Sequence, residues 1–161
     1  ALGWFSMKKA IIVSGSVGAG KTTFAMQLAH KLRAEYINVN DVVHTYKISR
    51  SYDKKRKSKI VDVGKLNKVL IEMIQKSKKR LVIDGHLSHY LPRRYVDKCY
   101  IVKCELKALK KRLERRGYSK EKIRENLDAE IFDVCLIEAR EMKHKIKIID
   151  TSSQPFLKQR V

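Results

Sequence analysis

The amino-acid sequence predicts a three-layer α/β sandwich built on a five-stranded parallel sheet. Two observations lead there. Short continuous apolar runs alternate with segments whose apolar residues recur every three or four positions, as buried parallel strands joined by crossover helices do. The first run, Ala10-Ile11-Ile12-Val13, leads straight into Gly15-Ser16-Val17-Gly18-Ala19-Gly20-Lys21-Thr22-Thr23, and a helical pattern follows. That stretch fits G-x-x-x-x-G-K-[ST], a loop whose glycines wrap the backbone tightly while the next helix points free N–H groups at an anion.

Each element is justified in turn. Strand one covers about Lys8 to Ser14, and the helix after the loop places Phe24, Leu28 and Leu32 on one face. Tyr36-Ile37-Asn38-Val39 is a second strand, and Asp41 is positioned to cap a short helix through Val42, Val43 and Tyr46. From Lys47 to Lys59, seven of thirteen residues are Lys or Arg; the segment reads as exposed and mobile, either a solvated loop or a contact for phosphate. A helix from about Asp62 to Gln75 turns Leu66, Val69, Leu70 and Met73 inward. Leu81-Val82-Ile83-Asp84 is the third strand and Cys99 to Lys103 the fourth. Leu106, Leu109 and Leu113 mark a helix from Glu105 to Arg116, ended by Gly117 as a left-handed cap. Ser119 caps a further helix with the stripe Ile123, Leu127, Ile131 and Val134, and Ile146 to Asp150 is the fifth strand.

At 161 residues and 43% hydrophobic content, one domain is expected, over 7–152. Ala1 to Ser6 reads as an appended remnant ahead of Met7, with Trp4 and Phe5 as candidates to cover a groove, and 153–161 as an unpatterned tail. No run of 18 apolar residues and no leader pattern occurs, so neither a membrane span nor secretion is expected. Cys99, Cys104 and Cys135 have no zinc spacing; their odd number in a nucleotide-binding chain points to the cytoplasm, with Cys99 and Cys104 as core packing.

Charge is the unusual feature. Lys and Arg number 37 against 17 acids, a net +20. A nucleotide site needs few cations, so the excess points to a polyanionic neighbour, RNA above all. A thermophilic surface is the competing explanation, but such surfaces raise Glu alongside Lys, and this chain does not.

Five groups of residues carry candidate chemistry. The loop from Gly15 to Thr23 is expected to hold nucleotide phosphates, with Lys21 reaching the β- and γ-phosphates and Thr22 ligating Mg²⁺. Asp84, at the carboxyl end of a strand, either holds the same Mg²⁺ or caps a helix. His86 either orients a water or substrate phosphate or is a surface histidine in a turn; His89 has less reason for a role. Arg112, Arg115 and Arg116 precede the Gly117 hinge and read either as a lid closing over charged phosphoryl groups or as a solvated face; Arg116, beside the hinge, is the first choice.

Taken together, several segments resemble the adenylate kinase isoenzyme 6 family, in its archaeal branch. They are Gly15 to Thr23, Tyr36 to Val39, Tyr52-Asp53, Val82 to Pro92, Arg116-Gly117-Tyr118-Ser119, Glu125 to Ile131 and Ile149-Asp150-Thr151, in the family's order. The resemblance implies a phosphate-loop nucleoside monophosphate kinase fold. It implies transfer of the γ-phosphoryl of ATP to AMP, ATP hydrolysis, and a role in small ribosomal subunit maturation with a platform protein, the universal protein eleven, as partner. It also implies that Gly18, Gly20, Lys21, Thr22 and Thr23 bind ATP phosphates, that 38–61 is a monophosphate-binding arm, 115–125 a short lid with Arg116 on ATP, and Asp84 and His86 a Walker-B-like pair serving Mg²⁺ and the attacking group. Two departures bear on this. His44 stands where an arginine is common, which leaves the grip on AMP unassigned. Lys54-Lys55-Arg56-Lys57 stands where the arm is often acidic, which favours rRNA contact over the basic platform protein. An ATP-switched RNA-binding assembly factor and a kinase of another small acceptor are the alternatives.

Overall fold

β1 (Ala10–Gly15) is buried along its whole length, as a strand covered on both faces must be. In the computed structural model, which describes residues 8–54 and 58–152, it is the centre of a five-stranded parallel sheet. The others are β2 (Glu35–Asn38), β5 (Leu81–Asp84), β6 (Val96–Lys103) and β7 (Ile146–Asp150), in the order β2-β5-β1-β6-β7. Residues 1–7, 55–57 and 153–161 lie outside the described residues, and with them the expectations for 1–6, for Trp4 and Phe5, and for the tail.

Period-two alternation sends successive strand side chains to opposite faces, and two cores result. On one face, Ala10, Ile12, Ile83 and Ile101 pack against α2 (Val39–Thr45), α3 (Val63–Lys76) and α6 (Val134–Glu141). On the other, Ile11, Val13, Val82 and Val102 pack against α1 (Lys21–Leu32), α4 (Leu106–Arg115) and α5 (Lys120–Ile131). The expected three-layer sandwich is the architecture found.

Several local expectations need correction. Leu32 and Leu106 are exposed, at 42% and 41%, because each sits at the end of its helix where the apolar stripe runs off the sheet. Val39 opens α2 and does not continue β2, and the cap of α2 is Asn38, whose Oδ1 accepts from the Asp41 N–H at 3.2 Å. Tyr46 lies past the end of α2 and is exposed. The basic segment 47–59 is not structureless: β3 (Ser49–Asp53) and β4 (Ser58–Val61) pair as an antiparallel hairpin. The stripe of Ile123, Leu127, Ile131 and Val134 is divided between two helices, because Asp133 takes φ 51° and turns the chain. Ile131 and Val134 are left exposed there. Gly117 does adopt the left-handed conformation, φ 73°. Cys99 and Cys104 are buried and free, and burial pushes the Cys99 thiol up to about 12.

Candidate active site

The loop between β1 and α1 is held from outside by one arginine. Arg112, half-buried on α4, donates from Nη2 to the Thr151 carbonyl at 2.9 Å and from Nη1 to the Gly18 carbonyl and the Thr151 hydroxyl, both at 3.4 Å. Thr151 in turn donates to the Ala19 carbonyl. Gly20 forms the helix N-cap at φ 97° with no side-chain cap, so the first turn of α1 opens onto a cleft.

That cleft has a volume of about 590 Å³ and lies at the carboxyl ends of β1, β2 and β5. It brings together Gly18, Gly20, Lys21, Thr22 and Thr23 from the loop, Asp84 at the end of β5, His86 just after it, and Arg116 from the α4–α5 turn; Arg112, Arg115 and His89 do not line it. Asn38, Asn40, His44 and Val61 line the side formed by α2 and the hairpin; Tyr118 and Lys122 line the side formed by α5, with the Lys122 ammonium 4.3 Å from the Tyr118 ring centroid.

Asp84 is the centre of the electrostatics. It is 2% exposed, and both the Thr22 hydroxyl (3.0 Å) and the Tyr36 hydroxyl (2.6 Å) donate to its Oδ2. Asn38 Nδ2 donates to the Tyr36 oxygen at 3.2 Å. Burial, then donation to Asp84, raises the Tyr36 hydroxyl to about 12, so it remains a donor. Asp84 Oδ1 is buried with no partner among the described residues. The Lys21 ammonium donates to the Ser16 carbonyl at 2.9 Å; burial pushes its pKa below the usual lysine value, opposed by Asp84. His86 presents its ring to the open cleft, so water reaches it, yet protein crowds it closely. That crowding, then the nearby Lys21 charge, lowers its pKa to about 4, leaving a neutral imidazole at pH 7.

Comparison with known proteins decides what this arrangement belongs to. Residues 11–133 match the model of an AAA domain family. The "Putative adenylate kinase" of Methanocaldococcus jannaschii is 37% identical over 144 residues, covering 89% of this chain and 77% of that protein. The "Adenylate kinase isoenzyme 6 homolog" of Caenorhabditis elegans is 34% identical over 131 residues, covering 81% and 72%. The chain belongs to the adenylate kinase isoenzyme 6 family. The shikimate kinase of Bacteroides thetaiotaomicron superposes with a TM-score of 0.53 at 16% identity, over 91% of this chain and 89% of that one, a likeness of fold.

Within this family frame the donor set fits Mg²⁺. The carboxylate oxygen left unpaired by Tyr36 and Thr22 is a hard ligand, and the Thr22 hydroxyl is beside it. No group of three or more His, Cys, Asp or Glu side chains able to hold a metal ion is found among the described residues, so an ion here would complete its shell with water and phosphate oxygens, as Mg²⁺ does.

Three residues outside the sequence reading of the site, Tyr36, Asn38 and Thr151, support it, and Arg112 takes a different place from the one expected. Tyr36 and Asn38 orient Asp84; the signal was parity, since residues two apart on β2 share a face and Asn38 lies in register with Asp84. Thr151 was quoted only as part of a motif. Arg112 was weighed below Arg116, yet it is Arg112 that turns inward onto the loop, while Arg116 stays exposed to the cleft. His89 is not a surface residue either. It is 1% exposed, its Nδ1 lies 2.7 Å from the Ser14 hydroxyl, and its carbonyl accepts from His144 Nε2 at 2.8 Å. It ties the site's floor to α6 and to the turn before β7.

Proposed function

We propose that this protein is a Mg²⁺-dependent phosphotransferase that moves the γ-phosphoryl group of ATP to AMP, giving two ADP, and that it also hydrolyses ATP. One observation carries most of this: Lys21, Thr22 and the unpaired Oδ1 of Asp84 converge in the cleft that also holds His86 and Arg116. An AMP phosphate oxygen would attack the γ-phosphorus as its bond to the β-phosphate oxygen breaks, and the departing group leaves as ADP. Lys21 and Arg116 are placed to neutralise charge that spreads over the migrating group. Asp84 and Thr22 would hold Mg²⁺, whose contribution is charge neutralisation on the β- and γ-phosphate oxygens. His86, neutral at pH 7, is suited to accept a hydrogen bond from a water or to orient the acceptor. Asn40 and His44 line the side where AMP would sit, opposite the lid side formed by Arg116, Tyr118 and Lys122.

We assign the reaction a setting in small ribosomal subunit maturation, with the platform protein as partner and the arm around Lys54 contacting rRNA. The names of the relatives support the kinase half, and the net charge of +20 supports a site of action near RNA. A coupled assay for ADP formed from ATP and AMP, run beside phosphate release without AMP, tests the chemistry. ADP formation that depends on AMP is the expected result. Hydrolysis alone, unchanged by AMP, would leave instead an ATP-switched RNA-binding assembly factor.

A further inference from the structure

A parallel sheet brings the start of every strand to one edge, and in this molecule that edge is basic. Lys8-Lys9 precedes β1, Arg33 lies two residues before β2, and Lys78-Lys79-Arg80 precedes β5. Arg93-Arg94 lies just before β6, and Lys143 and Lys145 flank the turn into β7. All ten side chains are exposed. In the order of the sheet they form a row across five strands, about 19 Å wide at ~4.8 Å per strand. The nucleotide cleft lies at the opposite ends of the same strands.

The row borders a groove. One cavity of about 600 Å³ is lined by Lys8, Lys9, Lys78, Lys79 and Arg80; another of about 450 Å³ by Lys9, Arg93, Arg94 and Lys145. They share Lys9 and Asp97, so they are continuous. Asp97 pairs with Arg80 at 3.8 Å, and among the described residues no carboxylate pairs with any other cation of the row. The apolar residues of the groove, Ile74, Leu81 and Val96, are buried beneath it.

We propose that this rim binds the phosphodiester backbone of a nucleic acid strand, as a face separate from the catalytic cleft and from the arm. So many cations left unpaired repel one another and weaken the fold unless a polyanion complements them. The shape argues against a membrane: the groove is concave, and the apolar side chains that line it among the described residues lie buried at its floor, with exposed Leu32 standing outside it beside Arg33. At ~3.4 Å per phosphate along one strand, a 19 Å row runs beside about five phosphates. The inference is independent of the kinase reading, because it rests on the other end of the strands.

The test is fluorescence anisotropy with a labelled 20-nucleotide single-stranded RNA, and the same sequence as DNA, between 50 and 200 mM salt. Binding of either polymer supports the rim, and the two arms tell which is preferred. Five phosphates predict a log–log salt slope of roughly −3.5. The rim variant Lys9→Ala/Arg93→Ala/Arg94→Ala/Lys145→Ala is expected to lose roughly tenfold or more in affinity and to flatten the slope by about 2 to 3. A control variant away from rim, arm and cleft, Lys107→Ala/Lys111→Ala on α4, is expected to bind within twofold of the parent. Thermal melting and ATP binding check that both variants are folded. Three results would overturn the proposal: no salt-dependent binding by the parent protein, unchanged binding by the rim variant, or displacement of RNA by polyglutamate or anionic vesicles at equal charge. Failure of the ATP-plus-AMP assay would leave it standing.

Discussion

Replacing Tyr36 with Phe removes one hydroxyl and leaves the ring in place. The lost bond is short, 2.6 Å, and its acceptor is a carboxylate buried to 2% exposure. Hydrogen bonds to charged groups are worth about 1.5–3 kcal/mol. Two facts reduce that figure. Thr22 still donates to the same oxygen at 3.0 Å, and Tyr36 is only half-buried, so water can replace part of the loss. A cost of about 1–2 kcal/mol in holding the carboxylate remains, or roughly five- to thirtyfold in rate. If Tyr36 acts by aiming Oδ1 at the metal position, the loss should appear as weaker Mg²⁺ binding. The assay is ADP formation from ATP and AMP across a Mg²⁺ series, beside metal-free ATP binding. Expected are a lower kcat, a higher Mg²⁺ concentration at half-maximal rate, and ATP binding without Mg²⁺ within twofold of the parent. Activity within twofold and an unchanged Mg²⁺ curve would refute the reasoning. A fall in Tm that accounts for the lost activity would make Tyr36 a packing residue.

Four other outcomes follow from the same geometry. Lys21→Ala should abolish both phosphoryl transfer and hydrolysis, and substantial turnover by the variant would contradict its assigned role. His86→Ala should damage hydrolysis more than ATP binding, read as a fall in phosphate release with a nearly unchanged Kd for ATP; normal hydrolysis would remove His86 from the chemistry. Gly85→Ala would set a Cβ 2.6 Å from Val39 Cβ, and overpacking of this kind costs about 1–3 kcal/mol, so Tm should drop by several degrees. An unchanged Tm would show that α2 shifts freely. Burial, then His144 and His86, lowers His89 to about 4, and His144 is lowered too, with Glu138 3.8 Å from His89 Nε2. Between pH 6.5 and about 4 the unfolded chain takes up protons that folded His89 refuses. Stability is therefore full above pH 6.5 and is lost as pH falls toward 4, by on the order of 3 kcal/mol at this site. Urea midpoints that stay flat from pH 7 to 4 would contradict this.

What the sequence made legible follows physical rules of unequal strength. β1 and the loop were plain because a strand buried on both faces carries an unbroken apolar run, here Ala10 to Val13, and the loop's glycine spacing is rigid. The hairpin of β3 and β4 was hidden because its strands carry Ser, Tyr and Lys where a core strand carries Val and Ile, so charge outweighed pattern. The joint at Asp133 was invisible because an aspartate, not a glycine, takes the left-handed conformation there. Asp84, His86 and Arg116 were singled out from their places at the end of a strand or beside a hinge, and all three line the cleft. Tyr36 required the register of β2 against β5, a long-range fact. Arg112 and Arg116 share a helix face by spacing, and only the packing of α4 on the loop decides which turns inward.

That inward arginine has a consequence for inhibition. With Arg112 and Thr151 bracing Gly18 and Ala19, bonds within the protein itself hold the loop's curve. A cradle held in this way responds to charge and oxygen geometry more than to the base beyond them. Pyrophosphate, tripolyphosphate and guanine nucleotides should therefore compete for it. Discrimination among bases must then be sought in the side chains of the wall formed by Tyr118 and Lys122, a separate part of the molecule under separate constraints.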